Sequence, residues 1–563
     1  MISVSGKHWE EINVNKRLIE KIKSEQNIPE LIAKLLISRN FDETEIYSIK
    51  NKVELSNPFL NNFDFNECFK TLNEIIISNG KIQIIGDYDV DGIVSTSLII
   101  KFFQLLKYPY SFYIPDRIKD GYGASLELIK KLTNNKIDLL ILLDCGSNSH
   151  EAIEYLNKKK IKTIIIDHHE IFKPYPKNKN IINPKKECLY RNYDYFCSAS
   201  LTYFFIDYFF KKKKIENNFD INLIYVLLAT VADVMPLRKL NRIIAKKVLV
   251  NFDITKNFIF NEIYKINKKK NNLNISDLGF LIAPLFNAAG RIDKAKKAVN
   301  LLTTPDNNEK NKIILDLHKL NIKRKNIEEI LMKEIDLNKI SKIKENVIVL
   351  LIENINEGLI GIMAAKIKEY FNKPCVVFTK SGTNYKGSAR STEDFNIGRY
   401  VKFGIDNGII LNGGGHHLAA GLTIEKNKFK TFVEFINDQL ILKKKEIRTK
   451  KYLSKIDLSA VNLKFLDELN LLEPYGSFNA KPLFLIENLK ILKSSILKNK
   501  YINCLLNSSS GKTINAISFS LIDSEISKIL LNYKNRVNII AEINLNIWNS
   551  RKSLQLNIQD IIL

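Results

Sequence analysis

Short apolar runs punctuate the chain from residue 81 onward. Residues 81–85, 111–114, 139–143, 163–166 and 181–182 each read as a strand, and amphipathic stretches at 95–106 and 126–132 read as helices between them. This alternation predicts a parallel sheet with crossover helices. Before it, Ile19, Ile22, Ile28, Leu31, Ile32 and Leu35 recur at helical spacing, so the first 50 residues read as helical. From about residue 223 to 340 the pattern is mostly helical, and the charged stretch 313–335 predicts one long connecting helix. A second α/β region opens at Asn346 with a strand-like run at 347–353, followed by a helix at 359–370 and a strand at 375–379. Residues 440–451 read as a linker. Beyond them, 537–548 and 553–558 alternate polar and apolar residues as half-buried strands do, which predicts a small barrel or sheet domain. The resulting division is an N-terminal helical segment (1–50), a first α/β domain (51–240), a helical region with its connecting helix (241–340), a second α/β domain (341–445) and a β-rich domain (452–563).

Composition narrows the class. At 563 residues the chain is long enough for several cores, and 45% hydrophobic with 26% charged residues is ordinary for a soluble globular protein. No apolar stretch is long enough for a membrane span and the N-terminus lacks the apolar core of a signal peptide, so a soluble, cytoplasmic protein without membrane contact is expected. The 86 Lys and Arg against 61 Asp and Glu give +25, which favours a polyanionic partner. Lysine runs such as 211–214 and 268–270 also fit solvated loops in a chain rich in Lys, Asn and Ile. The six cysteines form no CxxC pair, which fits free thiols in a reducing compartment; Cys188 and Cys197 lack the second pair that structural zinc needs.

The acids fall where chemistry is expected. Three apolar strands run straight into polar clusters: Gly86-Asp87-Tyr88-Asp89-Val90-Asp91-Gly92, Asp144-Cys145-Gly146 and Asp167-His168-His169. In an open parallel sheet the strand C-termini lie along one edge, and ligands bind there. Carboxylates gathered at that edge repel one another unless a cation joins them. A carboxylate and imidazole set suits manganese, zinc or iron better than calcium. Two ions bridged by a carboxylate suit phosphoester hydrolysis.

These strings resemble the first three motifs of the DHH phosphoesterase superfamily, and Asp233-Val234-Met235-Pro236-Leu237 resembles the fourth. Further matches point to its RecJ-type branch of single-strand-specific exonucleases. They are Tyr113-Ile114-Pro115-Asp116-Arg117 with Gly121-Tyr122-Gly123, Asn287-Ala288-Ala289-Gly290-Arg291, Lys386-Gly387-Ser388-Ala389-Arg390-Ser391, Gly414-Gly415-His416 with Ala419-Ala420-Gly421, and Leu472-Glu473-Pro474-Tyr475-Gly476. The resemblance implies a multidomain α/β fold: a parallel-sheet DHH domain joined by a long helix to a second α/β (DHHA1) domain, and a C-terminal OB-fold domain. It implies that Asp87, Asp89, Asp144, His168 and Asp233 hold two divalent ions, Mn2+ or Mg2+, with His169 beside them. It implies that Arg291, Ser388 and Arg390 grip a terminal 5′-phosphate, that Arg117 and Tyr122 touch the strand, and that His416 reaches the scissile phosphate.

The implied activity is 5′-to-3′ exonucleolytic release of 5′-mononucleotides from single-stranded DNA in recombination and repair. The implied context is a monomer that works after a helicase and alongside single-strand-binding protein. Two alternatives stand beside it: a superfamily member that cuts nanoRNA or cyclic dinucleotides, and a non-catalytic strand-binding protein. The chain departs from the pattern at 356–361, which lacks a Trp-His pair, and at Ala389, which stands for a glycine.

Overall fold

In the computed structural model the chain is described throughout except at residues 117–119, 121–122, 187–191, 336–339, 342, 344, 354, 442–448, 499 and 549–550. It forms two units: residues 56–235 with 248–444, and residues 1–55 with 236–247 and 445–563.

The larger unit holds two sheets. The first has five strands in the order Ser111–Tyr113, Ile82–Gly86, Leu139–Leu143, Lys162–Ile166, Ile181–Ile182, all parallel. Strands Ile82–Gly86 and Leu139–Leu143 are buried at every position, which explains why they read as continuous apolar runs without alternation. The register sets Gly86 beside Leu143 and Leu143 beside Ile166. The next residues, Asp87, Asp144 and Asp167, therefore leave the sheet side by side at its C-terminal edge. Helix Val90–Leu105 crosses behind the sheet, buried along most of its length, against helix Ser198–Lys213. It starts earlier than the apolar pattern predicts because the Asp89 carboxylate caps it, accepting from the amides of Asp91 and Gly92 at 3.0 and 3.2 Å.

Helix Asn307–Glu334, the long helix expected from the charged stretch, leads to the second sheet. Its order is Asn412–Gly415, Ala419–Glu425, Asn384–Arg390, Cys375–Ser381, Ile348–Leu351; only the last pair is parallel. Helix Glu357–Phe371 covers one face, with Leu359, Met363 and Ile367 in the core beneath it.

The smaller unit is built on a closed barrel. Strands Phe484–Leu497, Tyr501–Asn507, Thr513–Ser518, Arg551–Ile562 and Val537–Trp548 pair in that order, and the last returns to pair with the first. Helices Lys16–Gln26 and Glu30–Ser38 share its core: Ile32, Leu35 and Leu36 pack in one cluster with Leu458, Leu472 and Ile486. Two differences from the sequence reading lie here. The N-terminal segment is not wholly helical, because His8–Glu11 forms a strand parallel to Thr449–Tyr452, which itself lies partly in the stretch expected to be a linker. Trp9 anchors that strand, 3% exposed, with its indole N–H donating to Asp560 at 2.9 Å. Among the described residues no helix is long and apolar enough to cross a membrane.

Candidate metal centre

The sheet edge gathers the acids and histidines into one cluster. Three groups of ligand atoms, each mutually within 4.8 Å, overlap there: Asp87, Asp89 and Asp144; Asp91, His168 and Asp233; Asp144, His168 and His169. His168 Nε2 lies 3.3 Å from Asp233 Oδ2, 3.5 Å from Asp144 Oδ1 and 3.7 Å from Asp91 Oδ2. All five residues expected to hold ions therefore meet, and His169 joins them.

Local backbone explains how. The first turn of helix Val90–Leu105 presses so closely on the strand end that a Cβ at Gly92 would lie 2.4 Å from the Asp87 carbonyl oxygen. Asp144 adopts a left-handed φ of 61°, and Val234, next to Asp233, one of 56°. A positive φ is unusual for any residue with a side chain and an outlier for a β-branched one. Such strain persists where the surroundings dictate it, and it gathers at functional sites. Here it turns two carboxylates into one crevice.

Three residues that the sequence reading left out of the site complete it. Asp91 is 1% exposed, and its two carboxylate oxygens accept from the amides of Ser198 and Ala199 at 2.7 and 2.8 Å, at the start of helix Ser198–Lys213. Ser198 Oγ donates to Asp144 Oδ1 at 2.9 Å. Asp167 accepts from the amides of Ser147, His168 and His169 and sits 2.8 Å from His169 Nδ1. The third acid of the DxDxD spacing was a signal for Asp91. Nothing in the sequence marks Ser198.

The electrostatics favour a cation. Burial, then Asp91, Asp89 and Asp87, push the Asp144 carboxyl well above the usual carboxylate range. Burial and Asp91 do the same to Asp233, and burial with Asp89 raises Asp91 to about 6. Burial and the neighbouring His169 hold His168 well below the usual imidazole range, which keeps it neutral with a lone pair to give. His169 is raised to about 9: burial opposes its charge, and the Asp167 carboxylate outweighs that. Asp144 Oδ2 and His168 Nδ1 are buried without a hydrogen-bond partner among the described residues. The orphaned Asp144 Oδ2, with His168 Nε2 turned toward the crowded carboxylates, fits divalent ions held by mixed O and N donors.

A second constellation lies at the start of helix Glu357–Phe371. Arg291 donates to the Gly358 carbonyl at 3.1 Å. Arg390 Nη1 donates to Ser388 Oγ at 3.2 Å and to the Ala389 carbonyl at 2.8 Å. A Cβ at Gly361 would meet Ser388 Oγ at 2.9 Å and Arg390 Nη2 at 3.0 Å. Two guanidinium groups and a hydroxyl thus converge on a helix N-terminal turn, an arrangement suited to an anion. His416 stacks its ring on His169 at 5.9 Å between centroids, with 21° between the planes. Its Nδ1 is 3.9 Å from Glu170 Oε1. Arg117, Tyr122 and Cys188 lie outside the described residues.

A parallel sheet whose successive strands end in acid and acid–histidine clusters is the frame of a DHH phosphoesterase. The DHH family, N-terminal domain model matches residues 81–231, the DHHA1 domain model 344–441 and the RecJ OB domain model 454–560. With all three domains in this order, the chain belongs to the RecJ-type branch of the DHH superfamily. The single-stranded-DNA-specific exonuclease RecJ of Bacillus subtilis (strain 168) is 26% identical over 99% of this chain and 71% of its own length. That of Escherichia coli (strain K12) is 26% identical over 95% of this chain and 96% of its own length. Among solved structures, RecJ of Thermus thermophilus in complex with Mn2+ shares the fold with a TM-score of 0.82 at 21% identity, covering 99% of this chain and 79% of that one.

Proposed function

We propose that this chain is a metal-dependent exonuclease that hydrolyses single-stranded DNA from its 5′ end and releases 5′-mononucleotides. The observation that carries this reading is the pairing, within one unit, of the acid–histidine cluster with the guanidinium pocket of Arg291 and Arg390. The cluster suits phosphodiester hydrolysis. The pocket suits a phosphate with free oxygens, as only a strand end offers.

Asp87, Asp89 and Asp144 on one side, and Asp91, His168 and Asp233 on the other, would hold two divalent ions, with Asp144 placed to serve both groups. Mn2+ and Mg2+ are the candidates, in keeping with RecJ of Thermus thermophilus, whose structure has been solved in complex with each. When bound, such ions supply a nucleophile at neutral pH and offset the charge that builds on the phosphoryl oxygens. Asp167 fixes the His169 ring, and His169 and His416 together present imidazole edges to the phosphate under attack. Ser388, Arg390 and Arg291 hold the terminal 5′-phosphate and so select the bond one nucleotide further on. The barrel of the smaller unit holds the strand beyond, in salt-dependent fashion. In this reading the enzyme works as a monomer in the cytoplasm, on strands opened by a helicase and shared with single-strand-binding protein, during recombination and repair. A dinucleotide phosphodiesterase would use the same metal chemistry, but the matched OB domain has no purpose on so short a substrate.

The test is an end-resolved nuclease assay with Mn2+ on 5′-phosphorylated single strands, blunt duplexes and RNA dinucleotides. Stepwise loss of mononucleotides from the 5′ end of single strands is expected, and Asp144→Ala should abolish it while leaving strand binding intact. Cleavage confined to dinucleotides, or undiminished activity in Asp144→Ala, would overturn the reading.

A further inference from the structure

Where the loop after His169 meets the second sheet, the crevice carries exposed aromatic and cationic groups that the proposed chemistry does not use. Phe172 is 57% exposed. Its loop is pinned on both sides by Asn148, whose amide donates to the Glu170 carbonyl at 2.5 Å and whose Oδ1 accepts from the Phe172 amide at 3.3 Å. Helix Ile397–Asp406 lies opposite. Its first amides, Ile397 and Gly398, each donate at 3.1 Å to the carbonyls of His417 and His416. A Cβ at Gly398 would sit 2.8 Å from the His416 carbonyl oxygen, so this helix is fixed to the GGH loop. Lys402 on the helix sets its ammonium over the Phe172 ring, 5.2 Å from the centroid. One turn back, Arg399 lies over Phe403 at 5.4 Å, and Phe403 is itself 41% exposed. Residues 399, 402 and 403 share one helix face. Tyr400 turns away and stacks on Phe395 at 4.4 Å.

Two exposed phenyl rings, each with a cation over it, flank the site: Phe172 follows His169 by three residues, and Phe403 lies on the helix whose first amides bond to the carbonyls of His416 and His417. Among the described residues neither Lys402 nor Arg399 has an acidic partner. Apolar rings alone would suit many partners. Rings interleaved with cations that no described carboxylate neutralises suit a chain of bases and phosphates: the rings offer π-faces that any base can stack on, and the cations meet the backbone. We propose that Phe172, with Lys402, Arg399 and Phe403, forms a stacking subsite for single-stranded DNA on the 3′ side of the bond being cut. It would hold the strand in place while the terminal nucleotide leaves. The proposal rests on the exonuclease reading and adds to it the residues that grip the retained strand.

The test compares kcat/KM on a 5′-phosphorylated strand of about 12 nucleotides, within the range a strand-binding module spans, with kcat/KM on a 5′-phosphorylated dinucleotide. In Phe172→Ala the ratio of the two should fall roughly tenfold, chiefly through KM, and Phe172→Trp should restore it. A walk of single abasic positions along the strand should reveal one position where wild type loses activity and Phe172→Ala loses no more. Lys402→Met should flatten the logarithmic salt dependence of binding by about 0.7, the contribution of one phosphate contact on a single strand. An unchanged length ratio in Phe172→Ala, or an equal loss on both substrates, would overturn the subsite while leaving the exonuclease reading intact. A wild type that fails to shorten single strands from the 5′ end would instead overturn the reading beneath it.

Discussion

Removing Arg390 should cost the enzyme its preference for a 5′-phosphate rather than its chemistry. Nη1 is fixed to Ser388 Oγ and to the Ala389 carbonyl, so the guanidinium is oriented before substrate arrives. A charge-assisted hydrogen bond is worth about 1.5–3 kcal/mol, so losing one lowers affinity for the phosphorylated end roughly 10- to 150-fold. A 5′-hydroxyl strand never makes that bond and should lose far less. The assay is therefore a cycle between protein and substrate: kcat/KM for phosphorylated and hydroxyl ends, in wild type and Arg390→Ala. Arg390→Lys should fall between, because an ammonium keeps the charge and loses the planar fork. Gly361→Ala offers a control without charge change. Its Cβ would sit 2.9 Å from Ser388 Oγ and 3.0 Å from Arg390 Nη2, so one or both must shift and the preference should drop severalfold. If the two substrates lose activity equally in Arg390→Ala, the phosphate is bound elsewhere and the reasoning fails.

Metal-free protein should respond to pH in the opposite sense to a typical protein with paired carboxylates. Asp91 is raised from 3.8 to about 6, so the folded state holds its proton more tightly than the unfolded chain. This contribution is fully present below about pH 4 and is lost as pH rises through about 6, a change on the order of 3 kcal/mol for a two-unit shift. Asp144 and Asp233 shift the same way. The gain in thermal stability from Mn2+ over EDTA should accordingly be small near pH 5 and large near pH 8; a gain independent of pH would contradict the shared-cation account. In the smaller unit, Asp560→Ala should strand the donors Ser3, Ser5 and Trp9, which reach it at 2.8, 2.6 and 2.9 Å. Limited proteolysis should then release the N-terminal strand at a temperature where wild type stays intact. Equal resistance would show that the buried carboxylate is dispensable there.

The strands Leu139–Leu143 and Lys162–Ile166 were legible because parallel strands buried on both faces leave long apolar runs, and the acids that follow them mark the edge where ligands bind. Asp87, Asp144 and His168 could be placed together from that pattern. Asp91 stood in the same string, but its place depends on the amides of Ser198 and Ala199, more than a hundred residues away, which no local pattern reports. The strand His8–Glu11 was hidden for a similar reason. It is four residues long, and its one deeply buried side chain, Trp9, is held by an acid 551 positions later. The aromatic rim escaped notice because Phe172 and Lys402 each look like ordinary loop and helix residues until the second sheet brings them together.

What the centre lacks on its own is the strongest statement of what it is for. Asp144 carries a left-handed φ, a raised pKa and a buried oxygen with no hydrogen-bond partner among the described residues; Val234 is strained beside Asp233; His168 is kept neutral with a buried nitrogen likewise unsatisfied. Each of these is unfavourable for folding. A structural ion-pair network would pair its acids with Lys or Arg, as Glu45 is paired with Arg238 at 2.6 Å in the smaller unit. Here the acids are grouped with one another and with imidazole. Divalent cations relieve the repulsion and satisfy the orphaned Asp144 oxygen in one step, so the geometry that strains the crevice is the same geometry that readies it for phosphodiester cleavage.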